Sequence, residues 1–542
     1  MKFHRQVDFA NIAIRRGAKG VLLSLILLVL FWPSFLSAQE AIPAAAGQGY
    51  EAISADNMEA ILSFLASDEL EGRGTAQRGL QIAAKFLASQ YTLAGYGPAP
   101  GQRSMLQTFF VLESKLDPAT SISVNLNENG SKISRRYVLH TDFYIRGQGT
   151  QSFNIEAPVA FAGYGITASE SGYDDYKGLK AQGKILLFLS GRPKFVKPGA
   201  AARPGRRGGS ARVAAAEKAG AVAIVTIATR SIPEQMARYR RFLGRPSYSL
   251  QNAERSLPRF TVSAEVANEI LAAGGLSVEA LKEKIDASEK PGSFVVKNAT
   301  MTLDVRINTE PKKTQNVVAY LEGADPELKS EVVAFGAHYD HVGISEDGTI
   351  YNGADDDGSG TTGILEIARA FAGNPERPKR SLLFISHTGE ERGLLGSRYY
   401  TENPLIPLES TVTMLNVDMI GRNEDNEVYV IGSDFISTEL HDIGEEANQV
   451  VGLTLDYKYN TLDDPERFYY RSDHYHYAKN DIPIIFYFTG THEDYHKETD
   501  DVRKIKFDKM QAIARLIYLT GWKVANLDHR PSHDGKLATA SE

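Results

Sequence analysis

The residues with the most chemistry in them come in short runs: His338, Tyr339, Asp340 and His341; Asp355, Asp356 and Asp357 inside GADDDGSG; Glu390 with Glu391; Asp418; and the stretch from His492 to His496. Histidine and carboxylate side chains suit zinc or a similar divalent ion, and a set without thiolate leaves coordination positions open for water and substrate. Singly, each run has an ordinary explanation. A histidine after a strand is a surface residue, an acidic run before a helix is a cap, and adjacent glutamates are a solvated face. Their shared placement is harder to explain that way. VVAFGA runs into His338, LLFISHTG into Glu390 and Glu391, TMLNV into Asp418, and IIFYFTGT into His492 and then His496. In open parallel sheets the functional crevice lies beyond the carboxyl ends of the strands, so separate loops bring metal-binding types to one end of one sheet. A mixture of two histidines and three carboxylates is too many for one catalytic zinc. It suffices for two ions about 3.5 to 4 Å apart if one carboxylate bridges them.

A competing motif overlaps the last run, because HEDYH at 492–496 satisfies the H-E-x-x-H pattern of single-zinc proteases. That pattern works when a helix puts both histidines on one face. Here it follows directly on a strand and Gly490 and is succeeded by the charged KETDD, so a chance match is the better reading. His474 and His476 lie near the same end of the sheet and read as loop or rim contacts rather than ligands. The tyrosines of YKYN and RFYYRSDHYHY suit either a side-chain pocket or plain packing.

The elements that must carry these residues are legible as texture. From about 300 to 525, near-continuous Val, Ile, Leu and Phe runs alternate with helical patterns, which predicts a mostly parallel sheet covered on both faces. Residues 51–100 predict two helices, the first with Asp56 as its N-cap, and Asn129 with Gly130 predicts a turn. Between 150 and 290 the order strand, loop, helix, strand forms a smaller α/β unit that contains no histidine, and so reads as an accessory domain. Its tract KFVKPGAAARPGRRGG is basic but lacks interleaved aromatics, which favours a solvated loop over an RNA-binding segment. Residues 526–542 lack periodicity and predict a flexible tail.

Composition narrows the field further. Sixty basic against 67 acidic residues give a formal charge of -7, so nothing drives the whole chain toward nucleic acid. The absence of cysteine excludes disulfides, a thiol nucleophile and a cysteine zinc site. At the N-terminus, Lys2, Arg5, Arg15, Arg16 and Lys19 precede the apolar run from Val21 to Trp32, and PSFLSAQE follows. That run is short for a membrane span and ends in small residues, which predicts a signal peptide over 1–38, cleaved near Ala38, and an exported, periplasmic or secreted chain. An uncleaved anchor is the alternative, and only then would this segment contact a membrane.

The series HYDH, GADDDGSG, HTGEERGLLGS, NVDMIG, RSDHYHYAK and DYHKETD resembles the di-zinc aminopeptidase family, which joins bacterial leucyl aminopeptidases with glutamate carboxypeptidase-like zinc metallopeptidases and glutaminyl cyclase relatives. The likeness covers 51–145 and 291–525, and the order and spacing of its motifs make it specific. The 150–290 segment resembles a protease-associated (PA) domain inserted between the two parts. The resemblance implies a three-layer α/β zinc-exopeptidase fold with a mostly parallel central sheet. It also implies that His338 and Asp418 hold one zinc ion, that Glu391 and His496 hold the other, and that Asp356 bridges them. Asp340 is then expected to orient His338, Glu390 to act as general base toward a water shared by the two ions, and Tyr495 to help hold the oxyanion. Asp355 stands where relatives often have Asn and Lys497 where they often have Thr, which puts only local substrate contacts in doubt. The implied activity is release of N-terminal residues from peptide substrates. A carboxypeptidase or dipeptidase of the same fold, and a non-catalytic receptor-like binding protein, are the alternatives.

Overall fold

Val332–His338, Ser381–His387 and Thr411–Val417 are buried at every position, the property that unbroken apolar runs predict for strands covered on both faces. They form the centre of the computed structural model, which describes residues 42–539 apart from 129–130, 147–148, 169–170, 197–210, 239–245, 252–256 and 273. The expected signal segment, most of the basic tract and the expected Asn129–Gly130 turn lie outside the described residues.

Among the described residues the main sheet has nine strands. Their order is Ser247–Leu250, Leu106–Leu116, Ile307–Leu321, Ser381–His387, Val332–His338, Thr411–Val417, Ile484–Phe488, Glu427–Ile431 and Thr454–Asp456. Side chains alternate between its faces with the strand period of two. Val333, Phe335 and Ala337 pack with residues of the helices Ala55–Leu65, Gly360–Gly373 and Phe507–Asn526. Val332 and Ala334 pack on the other face with Tyr400 and Tyr477, from the helices Leu395–Glu402 and His474–Ala478. Each fully buried aliphatic or aromatic side chain is worth about 1.5–3 kcal/mol, so both layers hold the strand ends in place.

The sheet is parallel where the candidate ligands emerge. Val332–His338 runs parallel to both Ser381–His387 and Thr411–Val417, and Thr411–Val417 parallel to Ile484–Phe488. Toward one flank it becomes antiparallel, through Ile307–Leu321, Leu106–Leu116 and Ser247–Leu250. It is therefore a mixed sheet with a parallel centre. Leu106–Leu116 shows the cause, since its buried and exposed positions largely alternate as in a strand with one face in water.

A second sheet, of eight strands among the described residues, has the order Ser131–Val138, Ser121–Glu128, Phe294–Val305, Phe153–Phe161, Ile185–Phe188, Ala223–Ile227, Arg259–Val262 and Phe143–Arg146. It encloses its own apolar cluster, including Ile122, Val159, Leu187, Val225 and Leu303. The expected boundaries of 150 and 290 are corrected: three strands before 150 belong to this sheet, because Ser121–Glu128 pairs along its length with Phe294–Val305. One strand from within the same stretch, Ser247–Leu250, leaves it to pair with Leu106–Leu116 on the main sheet.

Two smaller expectations are also corrected. The N-cap of Ala55–Leu65 is Ser54, whose hydroxyl accepts from Asn57 N, rather than Asp56. The expected tail is tied down through its first dozen residues: Arg380 donates to the carbonyls of Leu527 and His529, Arg530 pairs with Glu331, and Asp534 accepts from Thr438. Non-periodic sequence can still be held by side-chain hydrogen bonds. No helix among the described residues is long and apolar enough to cross a membrane.

Candidate metal centre

The strand ends set down the functional side chains. His338 is the last residue of its strand; Asp418 directly follows Val417; Glu390 and Glu391 follow His387 after Thr388 and Gly389; His496 follows the strand Ile484–Phe488 after a run of turns. Asp356 comes instead from the tight turn Ala354–Ser359 that leads into the helix Gly360–Gly373. That turn needs Gly353, whose φ is +57°: a Cβ there would lie 2.3 Å from Asp356 O and 2.4 Å from the His341 ring. Only glycine combines this conformation with so close an approach.

The result is two groups that share Asp356. His338 Nε2 lies 3.4 Å from Asp356 Oδ1 and 3.5 Å from Asp418 Oδ1. His496 Nε2 lies 3.0 Å from Asp356 Oδ2 and 3.1 Å from Glu391 Oε2. The structure thus brings together every ligand that the resemblance implies, with the two oxygens of Asp356 turned toward different groups. Ligand atoms of His338, Asp356 and Asp418 lie within 4.8 Å of one another, and so do those of His341, Asp356 and Glu391. Asp356 Oδ2 and Glu391 Oε1 are buried and accept no well-aligned hydrogen bond, with only imidazole nitrogens beside them. Bare, buried carboxylate oxygens beside imidazoles are costly alone and suit divalent cations, so these residues fit a metal pair.

Electrostatics separate the two adjacent glutamates. Burial alone would raise both, but His496 and His341 beside Glu391 bring it down to about 2. Glu390 lacks such compensation. Burial, reinforced by the charges of Glu391, Asp418 and Asp473, lifts it well above the usual carboxylate range despite His338. Burial also works against Asp356, yet the imidazoles of His338 and His496 beside its two oxygens hold it well below its ordinary value. Neighbouring carboxyls pushed apart in this way suit different tasks, one as a ligand and one as a proton carrier.

Around this centre lie residues to which the sequence patterns assigned no part in it. Ser472 donates to Asp418 Oδ2 at 2.6 Å and itself accepts from Asn416 Nδ2. Asp500 accepts from the backbone N–H groups of Asp355 and Asp356. His341 Nδ1 lies 2.8 Å from Glu391 Oε1. Of the acidic run only Asp356 faces the centre. Asp357 accepts from His338 N, Gly360 N and Met419 N, knitting three loops together, while Asp355 accepts from Gly421 N and faces His492 Nε2 at 3.2 Å.

The expected role of Asp340 is corrected. His338 Nδ1 is 3.0 Å from the backbone carbonyl of Asp340, whereas the nearer carboxylate oxygen is 3.8 Å away. That carboxylate is otherwise engaged, accepting from Thr75 Oγ1 at 2.7 Å and from Glu390 N at 3.1 Å. It therefore positions the chain at Glu390, and the backbone orients His338. The two histidines of HEDYH part company, His492 toward Asp355 and His496 toward Asp356, with no helix between them and Glu493 exposed. His474 stacks on Phe486 with Nε2 at the carbonyl of Tyr469, and His476 Nδ1 meets Ser397 Oγ.

A pocket opens beside His338, Asp356, Glu390 and Asp418, walled by Met419, Phe468, Phe486, Phe488, Arg471 and Tyr495. Tyr495 stacks on the His496 ring at 3.9 Å. Of the tyrosine-rich stretches this wall takes Phe468 and Arg471, while Tyr469 and Tyr477 are buried in the core.

Residues 316–520 match the model of Peptidase family M28. The chain is similar to a probable leucine aminopeptidase 2 of Aspergillus oryzae, 33% identical over 215 residues, which are 38% of this chain and 40% of that protein. It is also similar to leupeptin-inactivating enzyme 1 of Streptomyces exfoliatus, 29% identical over 254 residues, 46% of this chain and 50% of that protein. The matches therefore span about half or less of these relatives. Among solved structures, an aminopeptidase from Aneurinibacillus sp. strain AM-1 superposes with a TM-score of 0.56 at 18% identity, covering 91% of this chain and 98% of that one. The shared fold extends well beyond the segment with sequence similarity.

Proposed function

We propose, from the match of residues 316–520 to the model of Peptidase family M28, that the chain is a zinc-dependent exopeptidase, an aminopeptidase that releases N-terminal residues from peptides. The observation that carries the reading is Asp356, buried and presenting one oxygen to His338 and the other to His496. In this reading His338 and Asp418 hold one zinc ion, Glu391 and His496 the other, and Asp356 both. Zinc bound there supplies Lewis-acid polarisation of the scissile carbonyl and lowers the pKa of water. Glu390, as the carboxylate, takes the proton from the attacking water, holds it because burial raises its proton affinity, and returns it to the leaving amine. The chain entering Glu390 is fixed by its N–H bond to Asp340, so the carboxyl stays at its post. Tyr495 keeps its phenolic proton, since burial and then Asp356 and Glu391 oppose ionisation, and can donate it as a hydrogen bond to the developing oxyanion.

The pocket supports a substrate preference. Phe468, Phe486, Phe488 and Met419 offer an apolar surface for the side chain of the N-terminal residue. The crowd of carboxylates next to it attracts a protonated α-amine. We assign the histidine-free second sheet to an accessory, PA-like domain, and the apolar N-terminal run to export.

The test combines metal analysis with a substrate screen on one preparation. About two zinc ions per chain are expected, with amino acid released from peptides that have a free N-terminus and none from their N-acetylated counterparts. Retention of a single ion, or equal cleavage of the blocked peptides, would defeat the proposal; release from the C-terminus would move the activity to the carboxypeptidase reading.

A further inference from the structure

Arg73 lies between the helices Ala55–Leu65 and Arg78–Leu93, far in sequence from every candidate ligand, and is 1% exposed. Its guanidinium spends its donors on four backbone carbonyls: Tyr339 at 2.9 Å, Asn352 at 2.8 Å, Gly353 at 2.8 Å, and Leu65. Tyr339 directly follows His338, and Asn352 with Gly353 leads into the turn that carries Asp356. One planar cation thus ties together the two loops whose side chains meet as His338 and Asp356.

The main chain of the same turn adds further ties. Arg73 has a left-handed φ of 47°, and its carbonyl accepts from His341 N at 3.1 Å. Two residues on, Thr75 Oγ1 donates to Asp340 Oδ2, and Asp340 Oδ1 in turn accepts from Glu390 N. Arg73 and Thr75 therefore reach the chain next to a histidine ligand, the chain leading to the bridging acid and, through Asp340, the backbone of the candidate base. Burial draws the Arg73 guanidinium down to about 10, against the pull of Asp357, Asp500, Asp340 and Asp356, so it is still a cation at neutral pH.

We infer that Arg73 is a positioning residue for the metal pair: by gripping the carbonyls beside His338 and before Asp356 it sets their separation, and through Thr75 and Asp340 the same turn places Glu390. This rests on the di-zinc reading above. It makes a turn outside the 316–520 segment part of the working site.

The experiment measures zinc affinity of the metal-depleted full chain by competition with a chromogenic chelator, alongside kcat and KM on a peptide with a free N-terminus. Wild-type protein that fails to hold two ions removes the di-zinc reading itself; wild-type protein that holds them leaves the variants to test Arg73. Arg73→Lys keeps the charge but has one nitrogen where four carbonyls need donors. Its zinc affinity is expected to fall roughly tenfold or more, with kcat lowered and KM little changed. Arg380→Lys is the control, because Arg380 is another buried arginine that donates to backbone carbonyls, those of Val524, Leu527 and His529, away from the site. It should lose thermal stability and keep wild-type zinc affinity. Zinc affinity in Arg73→Lys within twofold of wild type, or an equal loss in both variants, overturns the inference. If Arg73→Lys does not fold, Thr75→Val decides: kcat at least tenfold lower with zinc retained supports the positioning role, and unchanged kcat refutes it.

Discussion

Gly353→Ala is the most demanding test of how the centre is built, because the obstacle and the functional groups coincide. The added Cβ would sit 2.3 Å from the carbonyl oxygen of Asp356 and 2.4 to 2.5 Å from the ring of His341. The first contact must open by roughly 1 Å to reach the 3.4 Å of ordinary contact. Left-handed alanine adds about 1 kcal/mol of strain. A misplacement of about 1 Å in a catalytic constellation costs on the order of 100-fold, so kcat should drop by about that factor, with weaker zinc binding. Gly348→Ala separates strain from displacement: its φ is +86°, but a Cβ there meets nothing within 4 Å. That variant should lose about 1 kcal/mol of stability and no activity. The assay is initial-rate hydrolysis of an unblocked aminoacyl anilide at saturating zinc, with unfolding followed on the same samples. Should Gly353→Ala match Gly348→Ala in kcat within threefold, the turn does not set the position of Asp356 and the reasoning fails.

Three other outcomes are expected. Glu390→Gln should lower kcat by about 10²- to 10⁴-fold with unchanged zinc content, because shape is kept and proton acceptance lost; a kcat near wild type takes Glu390 out of the mechanism. Ser472→Ala removes the 2.6 Å bond to Asp418 and should weaken zinc binding about 10- to 100-fold, so an unaltered dissociation constant counts against this support. In the turn after Tyr173–Asp174, burial lifts Asp175 from 3.8 to about 6, despite hydrogen bonds from Tyr173, Ile166 and Tyr164. The folded chain holds that proton where the unfolded chain has released it, so this stabilising contribution is full below pH 3.8 and lost as pH rises through about 6. Urea unfolding of wild type and Asp175→Asn across that window should differ in slope with this sign, and parallel curves would refute it.

The centre was readable because its logic is local. An apolar run marks a strand, and the polar residues that follow are what its end presents, which brings out the runs holding His338, Glu390, Glu391, Asp418 and His496; the resemblance singles out these five within them. The supporting residues obey no such rule. Arg73 binds carbonyls and leaves no charge partner for a pattern to detect; the glycines on either side of it, Gly72 and Gly74, were the one sign of an unusual turn. Ser472 and Asp500 act through hydrogen bonds to residues more than fifty positions away. The role of Asp340 was misassigned because sequence cannot say whether a carboxylate or its own carbonyl faces the ring. The second sheet was begun too late for a related reason. Ser121–Glu128 meets Phe294–Val305 across more than 170 residues of chain, and no local periodicity encodes so distant a partner.

The short strand Ser247–Leu250 ties the two halves in a way that bears on protein engineering. It is drawn from the accessory stretch but completes the flank of the main sheet, covering Val111–Ser114 of Leu106–Leu116. Trimming the chain to a minimal catalytic core by excising the accessory strands would strip this cover and bare a row of unpaired amides. Bare sheet borders recruit strands from other molecules. A shortened chain would need a replacement guard there, such as a lysine or proline on the uncovered border, to stay monodisperse.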